Sequence, residues 1–455
     1  MTQPKHLAVA SEVATLDVAR ASGVPTPTVY GYSCDAKNAV GAEYILMEHA
    51  RGRLLGDTWF ELSDKQRIAL LSQLVENETR LFSAVLPAHG SIFYEKDLPE
   101  TFRRHAFSVD GISEKLCVGP DVSIRDWFED RSHIDIRRGS SKTAQEVLEM
   151  AALKEIAFLQ QYGKPRLPFE RVYRDITNFE KSDPQEHITS LENYLEITAQ
   201  LVPKDEWLHK PTLRHPDLNP NNVFISESQE ITSIIDWQHS AALPLFLQLG
   251  IPSYFQNYGD PDSENLGKPH LPADLDEWDE SDRAKELELY RRRHLHFYYV
   301  AATAKKNKPH FNALMYPGGL FRRKIFQHAG EPWEGNSITL KAELIKLTQS
   351  WRDIADHAYG SDGPVPPCPL SFDEHEVEKT VEALVRQEEA DQGLEFMRNF
   401  VGMSTDGWVP NEEYEEAVAK EAEIKKEALA CYEDDDPERE MAIEHWPFDD
   451  HDENE

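Results

Sequence analysis

LRHPDLNPNNVFI, residues 213–225, sets one histidine, one aspartate and three asparagines around two prolines, then breaks into an apolar run that reads as a strand. The polar SESQE (226–230) and a second apolar run, ITSII (231–235), follow, so the two runs read as a small β-hairpin that ends on Asp236. The pattern H-x-D-x-x-x-x-N places His215, Asp217 and Asn222 on one loop. Phosphoryl transfer needs this set of groups. One carboxylate orients an acceptor hydroxyl and takes its proton, while a carboxamide and a second carboxylate hold the magnesium ion that bridges the phosphates. The same letters also spell an ordinary Asn/Asp/Pro turn. Context separates the two readings: loop, strand, turn, strand and then Asp236, with helical patterns on both sides.

The bulk numbers narrow the field. A chain of 455 residues suggests two or three structural units, and 40% hydrophobic with 29% charged residues suits a soluble protein with a sizeable core. A net charge of -34 argues against nucleic acid or an anionic membrane as partner, and it repels a nucleotide triphosphate unless metal ions intervene. Cys34, Cys117, Cys368 and Cys431 are scattered with no C-x-x-C pair, which fits a reducing compartment rather than zinc or disulfide frameworks. The longest apolar candidate, LPLFLQLGIP (243–252), is too short to span a membrane and carries two prolines. The N-terminal residues show neither a signal-peptide nor a transit-peptide pattern.

Along the chain, ASEVATLDVARASG (10–23) predicts a helix capped at Ser11 and stopped at Gly23. PTVYGYS (27–33) and GAEYILMEHARG (41–52) predict an antiparallel strand pair. SDKQRIALLSQLVENETRLFSAV (63–85) predicts an amphipathic helix capped at Ser63, with Ile68, Leu71, Leu74, Val75, Leu81, Phe82 and Val85 on one face. Residues 100–210 read as helical, most clearly at 140–163 and 188–202, and helices dominate after the hairpin, at 283–307 and 338–360. A Pro-rich break at 363–371 precedes a further helix, whose first turn holds DEHE (373–376). From Glu433 to Glu455, twelve acidic residues face one arginine, so the tail is expected to be solvated and disordered.

HPDLNPNN followed by IIDWQHS resembles the catalytic and metal-binding segments of the aminoglycoside phosphotransferase and choline kinase group, within the protein-kinase-like fold. The phrases ASEVATLDVARASGVPTPTVYGYS, GAEYILMEHARG and IIDWQHSAALPLFLQLGIP look closer to a fungal subset, the altered inheritance of mitochondria phosphotransferase-like proteins. The resemblance runs from about residue 4 to at least 260, and more loosely to about 410. It implies an α+β, protein-kinase-like two-lobe fold with a truncated N-lobe. Residues 1–50 would be the N-lobe remnant, 51–410 a helical C-lobe with an insertion near 100–210, and 411–455 an acidic extension.

Carried over by position, the resemblance makes Asp217 the catalytic base, with His215 supporting it through a hydrogen bond to the backbone near Asp236. Asn222 and Asp236 become the Mg2+ ligands, Met47, Glu48, His49 and Ala50 the hinge strand that meets the adenine of ATP, and Glu12 the partner of a phosphate-binding lysine. Pro216 stands where many protein kinases have an arginine that pairs with an activation-loop phosphate, which favours a small-molecule or constitutive enzyme. The resemblance also implies a mitochondrial location and a small-molecule hydroxyl acceptor; it leaves the oligomeric state open.

Two parts of such a site are missing from these letters. No G-x-G-x-x-G occurs, and Lys5, in a QPKHLA stretch that does not read as a strand, is the sole lysine upstream of Glu12. The lysine strand is expected to end just before residue 1, as in an incomplete gene model, and this chain is expected to bind ATP weakly or not at all. The alternative to an enzyme is a pseudokinase that binds or scaffolds without turnover. Lesser signals have plainer readings: RRRHLHF (291–297) as a helix face paired with acids, YPGGLF (316–321) as a turn, and YGDPDSENLGKP (258–269) as a surface loop.

Overall fold

The computed structural model describes residues 4–359, 365–403, 409–433 and 436–449. Helix α1 (Lys5–Ala21) begins at Lys5, not at the expected Ser11. Leu7 and Ala10 extend the apolar stripe of Ala14 and Val18 upstream at helical spacing, so Ser11 lies buried inside the helix instead of capping it. Gly23, at φ +88°, ends it as expected. Strands β1 (Val29–Ser33) and β2 (Tyr44–Met47) pair antiparallel, Ser33 opposite Tyr44 and Val29 opposite Met47.

A short strand, β3 (Arg53–Leu54), precedes helix α2 (Asp64–Phe82). The Gln66 side chain accepts from the Ser63 N–H at 2.9 Å, closing the first turn. Leu70, Leu71, Leu74, Val75 and Leu81 are buried, but Val85 is 82% exposed: the chain leaves the helix after Phe82, so the periodicity no longer carries it inward.

Strands, which the sequence reading did not expect, lie just before and within the stretch 100–210 read as carrying helices. β4 (Ile92–Tyr94), β5 (His105–Phe107) and β6 (Leu116–Val118) form an antiparallel sheet in the order β4-β6-β5. All three residues of β4 and of β6 are buried, so neither shows the alternation that betrays a half-exposed strand. Helices α3 (Ala144–Tyr162) and α4 (Pro184–Leu201) follow.

Next come β7 (Pro211–Leu213), β8 (Val223–Ile225), β9 (Ile231–Ile234) and β10 (Ala242–Pro244). The predicted hairpin is β8–β9, and β3 adds to it in the order β3-β8-β9, while β10 pairs with β7, Ala242 opposite Leu213. Two glycines let β3 approach. A Cβ on Gly52, itself at φ +99°, would lie 2.3 Å from the Ile225 carbonyl oxygen, and one on Gly56 would lie 1.9 Å from Asn221 Oδ1.

The remaining helices are α5 (Pro261–Glu264), α6 (Glu280–Lys306), α7 (Lys308–Leu314), α8 (Gly319–Gly330), α9 (Ile338–Gln349), α10 (Trp351–Tyr359), α11 (Glu374–Val401), α12 (Tyr414–Leu429) and α13 (Pro437–Glu444). The expected helix over 338–360 is thus two, parted at Ser350. Asp373 caps α11 by accepting from the Glu376 N–H at 2.8 Å.

The chain divides into two compact units. The first comprises Met1–Lys154, Thr198–Gly330 and Asp353–Gly363, and its core joins Val13 and Leu16 of α1 to Leu70 and Leu74 of α2, Ile225 of β8, Trp237 and Tyr299 of α6. The second comprises Glu155–Ile197, Glu331–Arg352 and Pro364–Glu455, where α11 packs against α9 and α12. Here the structure corrects the reading of the tail. Residues 437–444 form α13, Trp446 is 6% exposed with its indole N–H on Glu421 at 2.6 Å, and Arg171 donates to the carbonyls of Glu444 and Trp446. An aromatic anchor outweighs the local charge there; positions 434–435 and 450–455 lie outside the described residues.

Candidate active site

Strand β7 leads directly into the loop through Arg214, which is buried and ion-paired. Its guanidinium donates to Glu78 of α2 at 3.0 Å through Nε, to the carbonyls of Gln248 at 2.6 Å and Gly250 at 2.5 Å, and to the Tyr299 hydroxyl at 3.0 Å. Tyr299 in turn donates to Glu78 at 2.5 Å. The loop therefore starts from a point fixed to α2 and α6.

His215 comes next, 8% exposed. Its Nε2 lies 2.8 Å from the Ile235 carbonyl oxygen, and its Nδ1 lies 3.2 Å from the Asp217 backbone nitrogen. One neutral tautomer satisfies both contacts, Nε2–H donating to Ile235 and Nδ1 accepting from Asp217. Burial holds the imidazole below its ordinary pKa, against the upward pull of the Ile235 carbonyl, Asp217 and Asp236. Trp237 packs edge-on against the ring at 4.7 Å between centroids.

The asparagines then shape the loop around Asp217. Asn219 accepts from the Asn221 N–H at 2.8 Å to open a short 3-10 turn, and its own amide donates to the Asp217 carboxylate at 2.8 Å. Asn222 Nδ2 donates to the Asp217 carbonyl at 2.8 Å and to its carboxylate at 3.2 Å. The amide nitrogen being committed, Oδ1 is the atom Asn222 can offer a cation. Its backbone carbonyl accepts from the Ile235 N–H at 3.0 Å, which ties Asn222 to the residue before Asp236. Asp236 has φ +62°, a left-handed backbone that a non-glycine residue adopts only where its surroundings hold it.

Glu12 reaches the same place from α1. Burial and the neighbouring Asp236 push its carboxyl up to about 7, partly offset by the Trp237 backbone N–H. Among the described residues no Lys or Arg forms an ion pair with it. The structure thus brings His215, Asp217, Asn222, Asp236 and Glu12 together. Met47 ends β2 opposite Val29 of β1, and Glu48, His49 and Ala50 follow it. The Glu48 N–H donates to the Thr28 carbonyl at 2.7 Å, and its carboxylate accepts from the Thr28 hydroxyl at 3.0 Å and pairs with Arg51 at 2.9 Å.

Among the described residues no group of three or more His, Cys, Asp and Glu could hold a metal ion. An amide oxygen of Asn222 and a carboxylate of Asp236 are donor types that suit a hard ion which keeps waters and phosphate oxygens as its other ligands. The set is unsuited to a closed zinc or calcium site.

Sequence reasoning missed Arg214, Glu78 and Gly56. Glu78 did leave a trace: spaced four residues from Leu74 and from Phe82, it interrupts the apolar stripe of α2 with a charge that must find a partner. In RRRHLHF the expected pairing with acids is present, Arg291 and Arg292 on Glu288 and Arg293 on Asp260, but His294 and His296 are buried, and the segment 258–269 read as a surface loop contains α5.

Residues 2–280 match the profile described as the phosphotransferase enzyme family. The chain is 29% identical, over 99% of its length and 91% of the relative's, to a subtelomeric hrmA-associated cluster protein of Aspergillus fumigatus. It is 22% identical to the altered inheritance of mitochondria protein 9, mitochondrial, of Saccharomyces cerevisiae, over 92% of this chain and 69% of that protein. Among solved structures, a putative aminoglycoside phosphotransferase from Ralstonia eutropha aligns over 76% of this chain and 83% of its own, at 13% identity and a TM-score of 0.29.

Proposed function

This chain belongs to the phosphotransferase enzyme family and has its α+β, protein-kinase-like fold, and from that premise we propose that it moves the γ-phosphate of ATP to a hydroxyl of a small molecule. The observation that carries the reading is the clamped imidazole of His215, which feels both Asp217 and Asp236 while Asn222 is tied to Asp217 and to Ile235. In this reading residues 1–50 are the remnant of the small lobe, with Met47–Ala50 as the hinge beside the adenine, 51–410 the large lobe and 411–455 its extension.

Asp217 accepts hydrogen bonds from Asn219 and Asn222, which hold its carboxylate in one orientation; there it aligns the acceptor hydroxyl and takes its proton. Asn222 Oδ1 and Asp236 would hold a magnesium ion, which would neutralise charge on the phosphates. His215 is a positioning residue that keeps the Asp217 backbone a fixed distance from the Asp236 segment. The relatives named mitochondrial support the same location for this chain. Among the described residues no helix is long and apolar enough to cross a membrane.

The test is ADP release from Mg–ATP against pools of hydroxyl compounds, with Asp217→Asn and Asp236→Asn beside the wild type. The reading expects acceptor-dependent ADP release that falls by at least a hundredfold in Asp217→Asn, and a raised magnesium requirement in Asp236→Asn. Turnover that survives Asp217→Asn, or a magnesium dependence unmoved by Asp236→Asn, would defeat it. Glu12 favours a second reading, a pseudokinase that binds without turnover, because its carboxyl stands beside Asp236 with no cationic partner among the described residues. Magnesium-dependent nucleotide binding with no ADP release from any pool would select that alternative.

A further inference from the structure

In a chain of net charge -34, cations gather at a place outside the Asp217 loop. A cavity of about 70 Å³ in the first unit is lined by Arg125, Arg137, Arg138 and Lys154 beside only two carboxylates, Asp121 and Asp126. It shares Arg137, Gly139 and Ser141 with a neighbouring cleft of about 480 Å³. Leu243 of β10 forms part of the cavity wall, and β10 pairs with β7, the strand that runs into the Asp217 loop. Cavity and loop are therefore carried by one strand pair.

Four cations on the wall face two carboxylates. Asp126 serves both Lys154, at 3.3 Å, and Arg125, at 3.7 Å, while the Asp121 carboxylate is occupied by the N–H and hydroxyl of Ser123. Lys154 is further held by the carbonyls of Gly330 at 2.7 Å and Arg125 at 3.1 Å. Arg138 stacks on Trp127 at 3.9 Å and donates to the carbonyls of Asp126 and Arg131. Neutral carbonyls fix Arg138 in place without removing its charge. Burial and the nearby Asp126 also push the Asp121 carboxyl upward, towards its neutral form.

A second observation points to a ligand. His89, on the cavity wall, is 2% exposed, and its Nδ1 is buried with no hydrogen-bond partner among the described residues; the Arg125 Nε also lacks a hydrogen bond, its ion-pair partner Asp126 standing 3.7 Å away. Unpartnered buried polar atoms are costly, and a polar cavity is where a bound group resolves them. A water molecule would satisfy the hydrogen bonds but bring no countercharge. An oxyanion brings both.

We propose that this cavity binds the carboxylate or phosphate group of a small molecule. The occupant is the hydroxyl acceptor itself, its body in the adjoining cleft, which makes the substrate an acidic hydroxyl compound rather than an amine. That assignment rests on the phosphoryl-transfer reading; the anion site does not.

The experiment titrates the full chain with inorganic phosphate, succinate and choline at constant ionic strength, followed by calorimetry and by the fluorescence of Trp127 beside Arg138. Arg137 is exposed on the wall, so Arg137→Gln should leave the melting temperature unchanged while weakening anion binding at least tenfold; choline should give no saturation in any protein. Saturation by phosphate alone assigns a phosphate group, and saturation by succinate alone a carboxylate. No saturation by either anion, or equal affinity in Arg137→Gln, overturns the site. Asp217→Asn is expected to bind the anion as the wild type does, so lost turnover with intact anion binding bears on the acceptor assignment separately from the site.

Discussion

Glu78→Gln is the substitution whose effect the structure fixes most tightly. The change keeps the shape of the side chain and removes its charge, leaving Arg214 8% exposed and without its counter-ion. Burial pushes the Glu78 carboxyl upward, yet Arg214, His310 and Tyr299 together hold it below the usual carboxylate range, so in the native state it is a carboxylate. Breaking one side of such a buried pair costs about 3–5 kcal/mol, which for a unit of this size lowers the melting temperature by roughly 5–10 °C.

Urea unfolding of Glu78→Gln and of the double variant Glu78→Met, Arg214→Met measures that cost. The double variant should recover at least half of it, because apolar side chains owe no desolvation penalty. The pair also anchors the start of the Asp217 loop. Glu78→Gln should therefore speed solvent exchange of the His215 Nε2–H, followed by nitrogen-edited NMR, under conditions where the protein stays folded. A stability change below about 1 kcal/mol in Glu78→Gln, or an unchanged His215 signal, would refute the argument that Arg214 depends on this carboxylate.

Gly56→Ala places a Cβ 1.9 Å from Asn221 Oδ1 and should cost about 1–3 kcal/mol in urea unfolding; an unaffected protein would mean that β3 does not press on the loop. Burial, the first cause for each, drives His89 and His310 to about 4 from an ordinary 6.5, so between those values the unfolded chain binds more protons than the folded one. Stability should fall as pH drops through that window, by about 3 kcal/mol for each histidine, and a melting temperature flat from pH 7 to 4 would contradict this. Glu12 has the opposite sign: raised from 4.5 to about 7, it binds more protons when folded, so its contribution is lost as pH rises through that interval. After a discount for partial exposure this amounts to about 2 kcal/mol, and Glu12→Gln should be more stable than the wild type by that amount at pH 8, with no difference at pH 4. Trp446→Ala should cost about 3–5 kcal/mol in the unfolding of the second unit, whereas a solvated tail would show no change.

Spacing within short windows carried the candidate site of this chain. H-x-D-x-x-x-x-N, the hairpin after it and Asp236 were legible because a loop, a pleat of period two and a turn are each set by a few adjacent residues. The same holds for the Ser63 start of α2 and the β1–β2 pair. Resemblance then supplied the family and the fold. Folding alone joined Glu78 to Arg214, 136 positions apart, and set His89, Arg125, Lys154 and Leu243 around one cavity. It also showed that α1 starts at Lys5 and that Trp446 draws the acidic tail inward. Charge pairing and burial between distant segments leave no periodic trace in a linear string, because their free energy depends on which surfaces meet and how much water is expelled there.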